Sequence, residues 1–465
     1  MLQERPSNSI LVNTDSYKVS MPQQYPPGTK TVFSYIESRG GRYDQTLFAL
    51  FQPFLHDVML RRVTKDDVDY AEKFWAIHGE PFDRARWDYI VDKHYGKLPV
   101  RIKAVPEGTV VPTGNVLVTV ENTDPKCYWL TTWLETAMLR AVWYPTTVAT
   151  ISWSIKKLIK SYLEKSGDVA GLPFKLHDFG ARGVSSNESA ALGSAAHLVN
   201  FMGTDSPQGI VLLNEYYNAP LETIGFSIPA AEHSTITSWT REGEPNAYGN
   251  MIDLFGKKDG LFATVSDSFD IFKACHIWGS LKDKIIQSGA TLVIRPDSGD
   301  PVSILPKLFH IIETYFGSVK NAKGFKVMNH VRFLWGDGID EQSIGSILRV
   351  LVDVYGWSAD NIAFGMGGAL LQHCDRDWLK FAMKCSAIEI ENADGTTEWR
   401  DVYKDPVTDP GKTSKKGRLG LYKNADGTFY TGREDWPENQ LELVYEDGEL
   451  YRDMNLGSVR RNAEV

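Results

Sequence analysis

Hydrophobic and polar positions change rhythm twice along this chain. From Leu98 to Thr123 the text LPVRIKAVPEGTVVPTGNVLVTVENT alternates over short distances, is rich in β-branched residues and carries PEG and TGN turns, predicting antiparallel strands. Cys127 to Tyr144, and then Thr150 to Lys165, have helical length and few breakers. From Phe174 a short apolar run repeatedly ends in Asp, Gly or Arg and gives way to a helical segment. The clearest cases are FKLHDFGARG, LFATVSDSFD, LVIRPDSGDP, VRFLWGDGID and NIAFGMGGALL. Strand, polar loop and helix in succession predict parallel β/α units, open or closed into a barrel, whose loops after the strands converge on one ligand-binding face. After about Ile388 the segments TEWRDVYKD, GRLGLYKNADGTFYTG and LELVYEDGELYRD read as hairpins with Asp-Gly turns. The fold class expected is α/β. A β/α-barrel-like domain covers residues 151–387, and residues 1–150 and 388–465 together form a β-rich α+β domain.

Composition narrows the function more than the fold. A chain of 465 residues can bury two or three domain-sized cores, and 42% hydrophobic with 23% charged residues is an ordinary globular balance. The net charge of −9 argues against a general nucleic-acid binder while leaving room for a local basic site. The opening MLQERPSNSI lacks the apolar core of a signal peptide, and no run approaches the ~18 apolar residues that span a bilayer. Cys127, Cys275, Cys374 and Cys385 are scattered without a CxxC pair, which fits free thiols in a reducing compartment. The cytoplasm is the expected location, with no membrane partner.

The chemistry concentrates in the loops that follow the expected strands. Arg295, Asp297 and Ser298 sit in IRPDSGDP, Asp267 and Ser268 in VSDSFD, and Asp337 between two glycines in GDGID. Carboxylates on neighbouring strand ends suit Mg²⁺, directly or through water, and sugar hydroxyls. Any one such loop reads as an ordinary Asp/Gly turn; their recurrence in one barrel-like segment favours a site. GMGGALL, Gly365 to Leu371, lets backbone N–H groups approach an anion at a helix start, but it is neither GxGxxG nor a Walker motif. The tail YKDPVTDPGKTSKKGRLG, with Lys404, Lys412, Lys415, Lys416 and Arg418, reads either as a solvated basic loop or as a phosphate-binding lid. Arg376 and Lys384 add two cations after GMGG. On pattern alone His233, in PAAEHSTITSW, reads as a structural histidine, Phe179 and Tyr17 as core aromatics, and Asp205 as a turn residue.

Taken together, these segments resemble the nicotinamide phosphoribosyltransferases, of the nicotinate/nicotinamide phosphoribosyltransferase family with its type II fold. The matching text runs in order along nearly the whole chain. It includes TDSYK, QYPP, LPVRIKAVPEG, ENTDPKCYWL, YPTTVAT, KLHDFGARGVSS, HLVNFMGTD, PAAEHSTIT, VSDSFDI, VIRPDSGDP, GDGID, NIAFGMGGALLQ and KDPVTDPGKTSKKGRL. The resemblance implies a homodimer with shared active sites that joins nicotinamide to phosphoribosyl pyrophosphate. It implies that Phe179 of one subunit and Tyr17 of the other sandwich the ring, flanked by Arg182 and Asp205, with Asp205 accepting from the amide and rejecting nicotinate. Arg295 and Asp297 would hold the ribose and help place Mg²⁺, with Asp267 nearby. Gly336, Asp337, Gly367 and Gly368 would lie along the ribose and phosphate. Arg39, Arg376, Lys384 and Lys404 would bind phosphate groups, with Lys412, Lys415 and Arg418 in the same basic region. The same resemblance makes His233 the acceptor of a phosphoryl group from ATP, with ATP hydrolysis driving the reaction forward.

The pattern departs from the family at a shortened stretch between Arg39 and Leu47, and at Ala382, Ala181 and Met366, where the family often has serine, tyrosine and serine. Three rival readings remain: a nicotinate phosphoribosyltransferase, another phosphosugar-processing barrel enzyme, and a non-catalytic signalling or binding protein of the same fold. The second lacks a strand-end lysine base, and the intact site residues weigh against the third.

Overall fold

The computed structural model describes residues 8–408 and 413–465. The chain forms two compact units, and the boundary falls at Thr150/Ile151, inside one helix, Glu135–Ser166. The sequence pattern broke this helix at Tyr144–Thr150, yet it runs on through Pro145. Proline removes one helical N–H, and threonine hydroxyls bind carbonyls around it: Thr147 Oγ1 donates to the Trp143 carbonyl and Thr150 Oγ1 to that of Thr146.

The first unit ends its N-terminal part at Thr150, resumes at Asp375–Glu464 and includes Tyr216–Asn218. The second boundary thus falls at Asp375, ahead of the 388 read from the pattern. Strand Phe381–Glu391 is the reason: it pairs antiparallel with Thr29–Ser38, placing Lys384 opposite Tyr35, and belongs to the same sheet. That seven-stranded sheet runs in the order Thr397–Asp401, Phe381–Glu391, Thr29–Ser38, Val116–Asn122, Val100–Ala104, Glu442–Glu446 and Glu449–Leu450. Asp447 and Gly448, both at positive φ, make the tight turn between the last two strands. Trp87, Trp129 and Trp133 interlock edge to face in the core. The buried Glu107 carboxylate accepts from the backbone N–H groups of Leu50, Phe51 and Gln52 and from the Tyr217 hydroxyl.

The second unit comprises Ile151–Glu215 and Ala219–Cys374. Its sheet is parallel throughout, in the order Gly203–Thr204, Leu176–Asp178, Ile362–Met366, Val331–Trp335, Thr291–Arg295 and Leu261–Val265. Residues 226–231 bridge its two edges. The Thr204 N–H donates to the Phe226 carbonyl and the Phe226 N–H to that of Met202; at the far end Ala263 and Ala231 exchange bonds with Pro229 and Ala263 carbonyls. The strands are largely apolar and mostly buried, with Leu261 on the edge strand exposed.

No helix among the described residues is long and apolar enough to cross a membrane.

Candidate active site

Three of the strand-to-helix loops share a spacing that sets the site's architecture. Each carries Asp-x-x-Asp: Asp267 with Asp270, Asp297 with Asp300, and Asp337 with Asp340. The second aspartate caps the next helix. Asp270 accepts from the Phe272 and Lys273 N–H groups, Asp300 from Ser303 and Asp340 from Ser343. That division leaves the first aspartate of each pair at the strand end for other work.

Phe179 is where the surrounding cavities meet. A cavity of about 560 Å³ inside the barrel is lined by Phe179, Asp205, Ser227 and Arg295 at the C-terminal ends of the strands, and by Lys175, Arg332 and Asp360 at their N-terminal ends. Burial pushes the Lys175 ammonium down to about 8, against the pull of Asp360, while its Nζ donates to the carbonyls of Ala359, Asp360 and Ile362. A second cavity of about 280 Å³ is lined by Phe179, Ala181, Arg182, Asp205, Ser206 and Arg295. A third, about 340 Å³, brings Arg182, Arg295 and Asp297 together with Gly336, Asp337, Gly367 and Gly368. The resemblance assigned these residues to ring, ribose and phosphate, and the fold gathers them around one phenyl ring.

Local structure explains how the ring is held. The Phe179 N–H donates to the Met366 carbonyl, and Gly365 leaves the space the ring fills. The buried Asp178 joins two loops: Oδ1 accepts from the Gly180 N–H at 2.7 Å, Oδ2 from Thr204 Oγ1 at 3.4 Å, and its carbonyl from the Asp205 N–H at 2.9 Å. Asp205 Oδ1 in turn accepts from Ser227 Oγ at 2.5 Å. Arg295 Nη2 lies 3.8 Å from Asp297 Oδ2, while its buried Nε has no hydrogen-bond partner among the described residues.

His233 stands at the start of a short helix with its Nε2 2.9 Å from Asp267 Oδ1. Asp267 Oδ2 accepts from Ser298 Oγ at 2.5 Å. Both oxygens of Asp267 therefore already hold protein donors, and its side chain is 6% exposed. Asp297 and Asp337 share the third cavity.

The other expected site residues lie in the first unit. Glu37, 3% exposed, accepts from Arg39 Nε at 2.9 Å and Lys415 Nζ at 2.5 Å, and buried Arg39 Nη2 has no partner among the described residues. Glu135 faces Lys384 at 3.9 Å and is ion-paired with Lys18. Burial holds the Lys384 ammonium below the usual lysine range, Glu135 opposing it and Arg39, Lys18 and Arg376 adding to it. These four cations and Lys415 thus form one electrostatic neighbourhood. Arg376 pairs with its neighbour Asp377. Lys404 is exposed, Tyr17 is 60% exposed with Lys18 beside its ring, and Lys412 lies outside the described residues. Arg418 pairs with Glu121 and Glu434, while its buried Nε, like Arg39 Nη2, has no hydrogen-bond partner among the described residues.

One His/Asp/Cys group, His94, Asp124 and Cys127, has metal-compatible spacing among the described residues. Asp124 already accepts from the Lys126 N–H, Tyr89 and His94, and burial pushes the Cys127 thiol up to about 12, so packing and capping account for it.

Comparison with known sequences decides the lineage. The model of the nicotinate phosphoribosyltransferase (NAPRTase) family matches residues 174–449, more than half of the chain. The chain belongs to this family. Residues 9–102 also match the N-terminal domain of nicotinamide phosphoribosyltransferase. Within the NAPRTase family, the chain is 51% identical to the nicotinamide phosphoribosyltransferase of Xanthomonas campestris pv. campestris, with 98% of each chain covered. It is 30% identical to that of Acinetobacter baylyi, over 98% of this chain and 96% of the other. The fold is also that of the nicotinate-nucleotide pyrophosphorylase of Pyrococcus furiosus, with a TM-score of 0.62 at 15% identity over 99% of this chain and 96% of the other. The type II phosphoribosyltransferase architecture expected from the sequence is therefore the one found, and the chain is a phosphoribosyltransferase.

Sequence reading missed Ser227, Glu37, Glu135 and Asp178, and gave Gly365 a place in an anion-approaching loop rather than beneath the Phe179 ring. The repeated Asp-x-x-Asp spacing is a further signal in the chain, since it separates capping aspartates from those at the strand ends by their order.

Proposed function

We propose that this protein transfers the phosphoribosyl group of phosphoribosyl pyrophosphate to nicotinamide, forming nicotinamide mononucleotide and pyrophosphate. The carrying observation is Asp205, a carboxylate acceptor sharing one cavity with Phe179 and Arg182. A carboxamide offers that acceptor an N–H donor; the carboxylate of nicotinate offers none and meets like charge, a clash of several kcal/mol, or roughly a thousandfold discrimination. The nicotinamide phosphoribosyltransferases among the relatives support the same choice.

The reaction forms a bond from the pyridine nitrogen to the anomeric carbon and breaks the bond to pyrophosphate, with inversion through an oxocarbenium-like state. It calls for alignment and for neutralising the leaving group, more than for a general base. Phe179 aligns the ring by stacking, and in a homodimer the exposed Tyr17 of a second copy supplies the other face. Arg295 orients the ribose. Arg39, Arg376, Lys384 and Lys404 take up phosphate charge, with the basic loop that includes Lys412.

The carboxylates fit magnesium. Asp297 and Asp337 offer hard oxygens in one cavity, while Asp267, with both oxygens engaged, suits a water-mediated place. Magnesium neutralises pyrophosphate charge when bound.

His233 is the acceptor of the ATP γ-phosphoryl group. An Nε2–H donating to Asp267 leaves the Nδ1 lone pair free, so Nδ1 forms the bond to phosphorus as the bond to the ADP oxygen breaks. The cytoplasm is the proposed location, in keeping with four scattered free cysteines.

The test is product formation from phosphoribosyl pyrophosphate and Mg²⁺ with nicotinamide or nicotinate, with and without ATP. Nicotinamide mononucleotide from nicotinamide, increased by ATP, is expected. Preferential use of nicotinate would overturn the substrate, and turnover of neither would favour a binding protein.

A further inference from the structure

Ser227 lies in the segment that closes the barrel, outside the loops that follow the strands. That segment is held from both sides. Phe226 shares backbone hydrogen bonds with Met202 and Thr204 on one edge strand, and Pro229 and Ala231 with Ala263 on the other. The hydroxyl of Ser227 is thus carried on backbone fixed by the strand that leads into Asp205 itself. It donates to Asp205 Oδ1 at 2.5 Å, and both residues line the cavity that contains Phe179.

An ionised carboxylate has about four lone-pair positions and rotates readily about its last side-chain bond. A single fixed donor on Oδ1 removes that freedom. Asp205 is exposed, and no described residue donates to its Oδ2, which leaves that oxygen open to a ligand. The Asp205 backbone is fixed too, because its N–H donates to the Asp178 carbonyl at 2.9 Å. Backbone and carboxylate are therefore held by different neighbours: among the described residues Ser227 is the hydrogen-bond donor to the carboxylate, with the His177 imidazole in electrostatic reach.

We infer that Ser227 is a positioning residue that governs the choice between nicotinamide and nicotinate, by holding Asp205 with one oxygen turned to the ring substituent. This rests on the proposed nicotinamide reading and adds a second determinant to it. Without the hydroxyl, Asp205 samples rotamers in which neither oxygen meets the amide, and the like-charge barrier to nicotinate weakens as the carboxylate turns away.

The experiment measures kcat/KM for both substrates with wild type, Ser227→Ala, Ser227→Thr, Asp205→Asn and the double variant Ser227→Ala/Asp205→Asn. Wild type is measured first: a preference for nicotinate would remove the underlying reading and the inference together. Given a nicotinamide-selective wild type, Ser227→Ala should reduce the nicotinamide-to-nicotinate ratio about tenfold, chiefly through KM, the size of one lost hydrogen bond to a charged group. Ser227→Thr, which keeps the hydroxyl, should restore the ratio. In the Asp205→Asn background the alanine change should add no further shift. An unchanged ratio in Ser227→Ala, or an equal additional loss in the double variant, would overturn the role of Ser227 while leaving the proposed reaction standing. A merely structural defect would lower both substrates together and also overturn it.

Discussion

The ring of Phe179 fills the space that a side chain on Gly365 would need: a Cβ built at Gly365 would lie 2.0 Å from Phe179 Cε2. Gly365 does not have the positive φ of a turn glycine, so close approach alone requires it. Overpacking of this kind typically costs about 1–3 kcal/mol. Gly365→Ala should push the ring out of place and raise KM for nicotinamide by roughly five- to a hundredfold, with less change in KM for phosphoribosyl pyrophosphate. Equal effects on both substrates would mean that the whole face, not the ring, had moved.

His233 and Asp267 are coupled by a 2.9 Å hydrogen bond. His233→Ala should abolish ATP hydrolysis and ATP stimulation while leaving some basal transfer. Asp267→Asn keeps the shape but disturbs the tautomer that frees Nδ1, and should lower ATPase activity by ~10²-fold or more, judging from the cost of losing an orienting partner to a histidine. Normal ATPase activity in either variant would remove His233 from the phosphoryl-transfer role.

Glu37 holds Arg39 and Lys415 together from a nearly buried position. Removing one partner of a buried pair costs on the order of 3–5 kcal/mol, so Glu37→Gln should lower the melting temperature by several degrees. It should also raise KM for phosphoribosyl pyrophosphate while sparing KM for nicotinamide. An unchanged KM ratio would confine Glu37 to stability.

His197 gives a stability dependence on pH. It is fully buried, with Nδ1 3.0 Å from Ser152 Oγ and Nε2 3.1 Å from the Gly203 carbonyl, and burial pushes its imidazole from 6.5 down to about 4. Between those values the unfolded chain binds a proton that the folded chain refuses. Stability present above the unfolded value is lost as pH falls through the window, by on the order of 3 kcal/mol at most. Melting temperatures across this range should fall more steeply in wild type than in His197→Gln; parallel curves would assign the effect to other groups.

The parallel units were legible in the chain because each strand is an apolar run stopped by a polar loop, and the Asp- and Gly-bearing loops after three of them bring Asp297, Asp337, Gly367 and Gly368 to one cavity. What could not be read was long-range pairing. Nothing local in Phe381–Glu391 says that it joins Thr29–Ser38, which is why the domain boundary moved to Asp375. Pro145 misled for a related reason: it sits inside a continuous helix where the local sequence reads as a break. Ser227 and Glu37 stayed hidden because their importance lies in the neighbour each one holds. Asp205 and His233 were raised above ordinary turn and helix residues by family resemblance, and their surroundings, Ser227 for one and Asp267 for the other, give that choice a physical basis.

The Asp-x-x-Asp spacing has a consequence for engineering. Residues 297 and 337 line one cavity and residue 267 holds His233 and Ser298, while residues 270, 300 and 340, only three places on, secure helix starts. The two duties are written on separate letters of the same short word. A library that varies the first set and holds the second would explore new acceptor and donor specificities among proteins that still fold. The complementary library would tune thermal tolerance at nearly constant catalysis, so selection for robustness and selection for a new reaction can proceed here without obstructing each other.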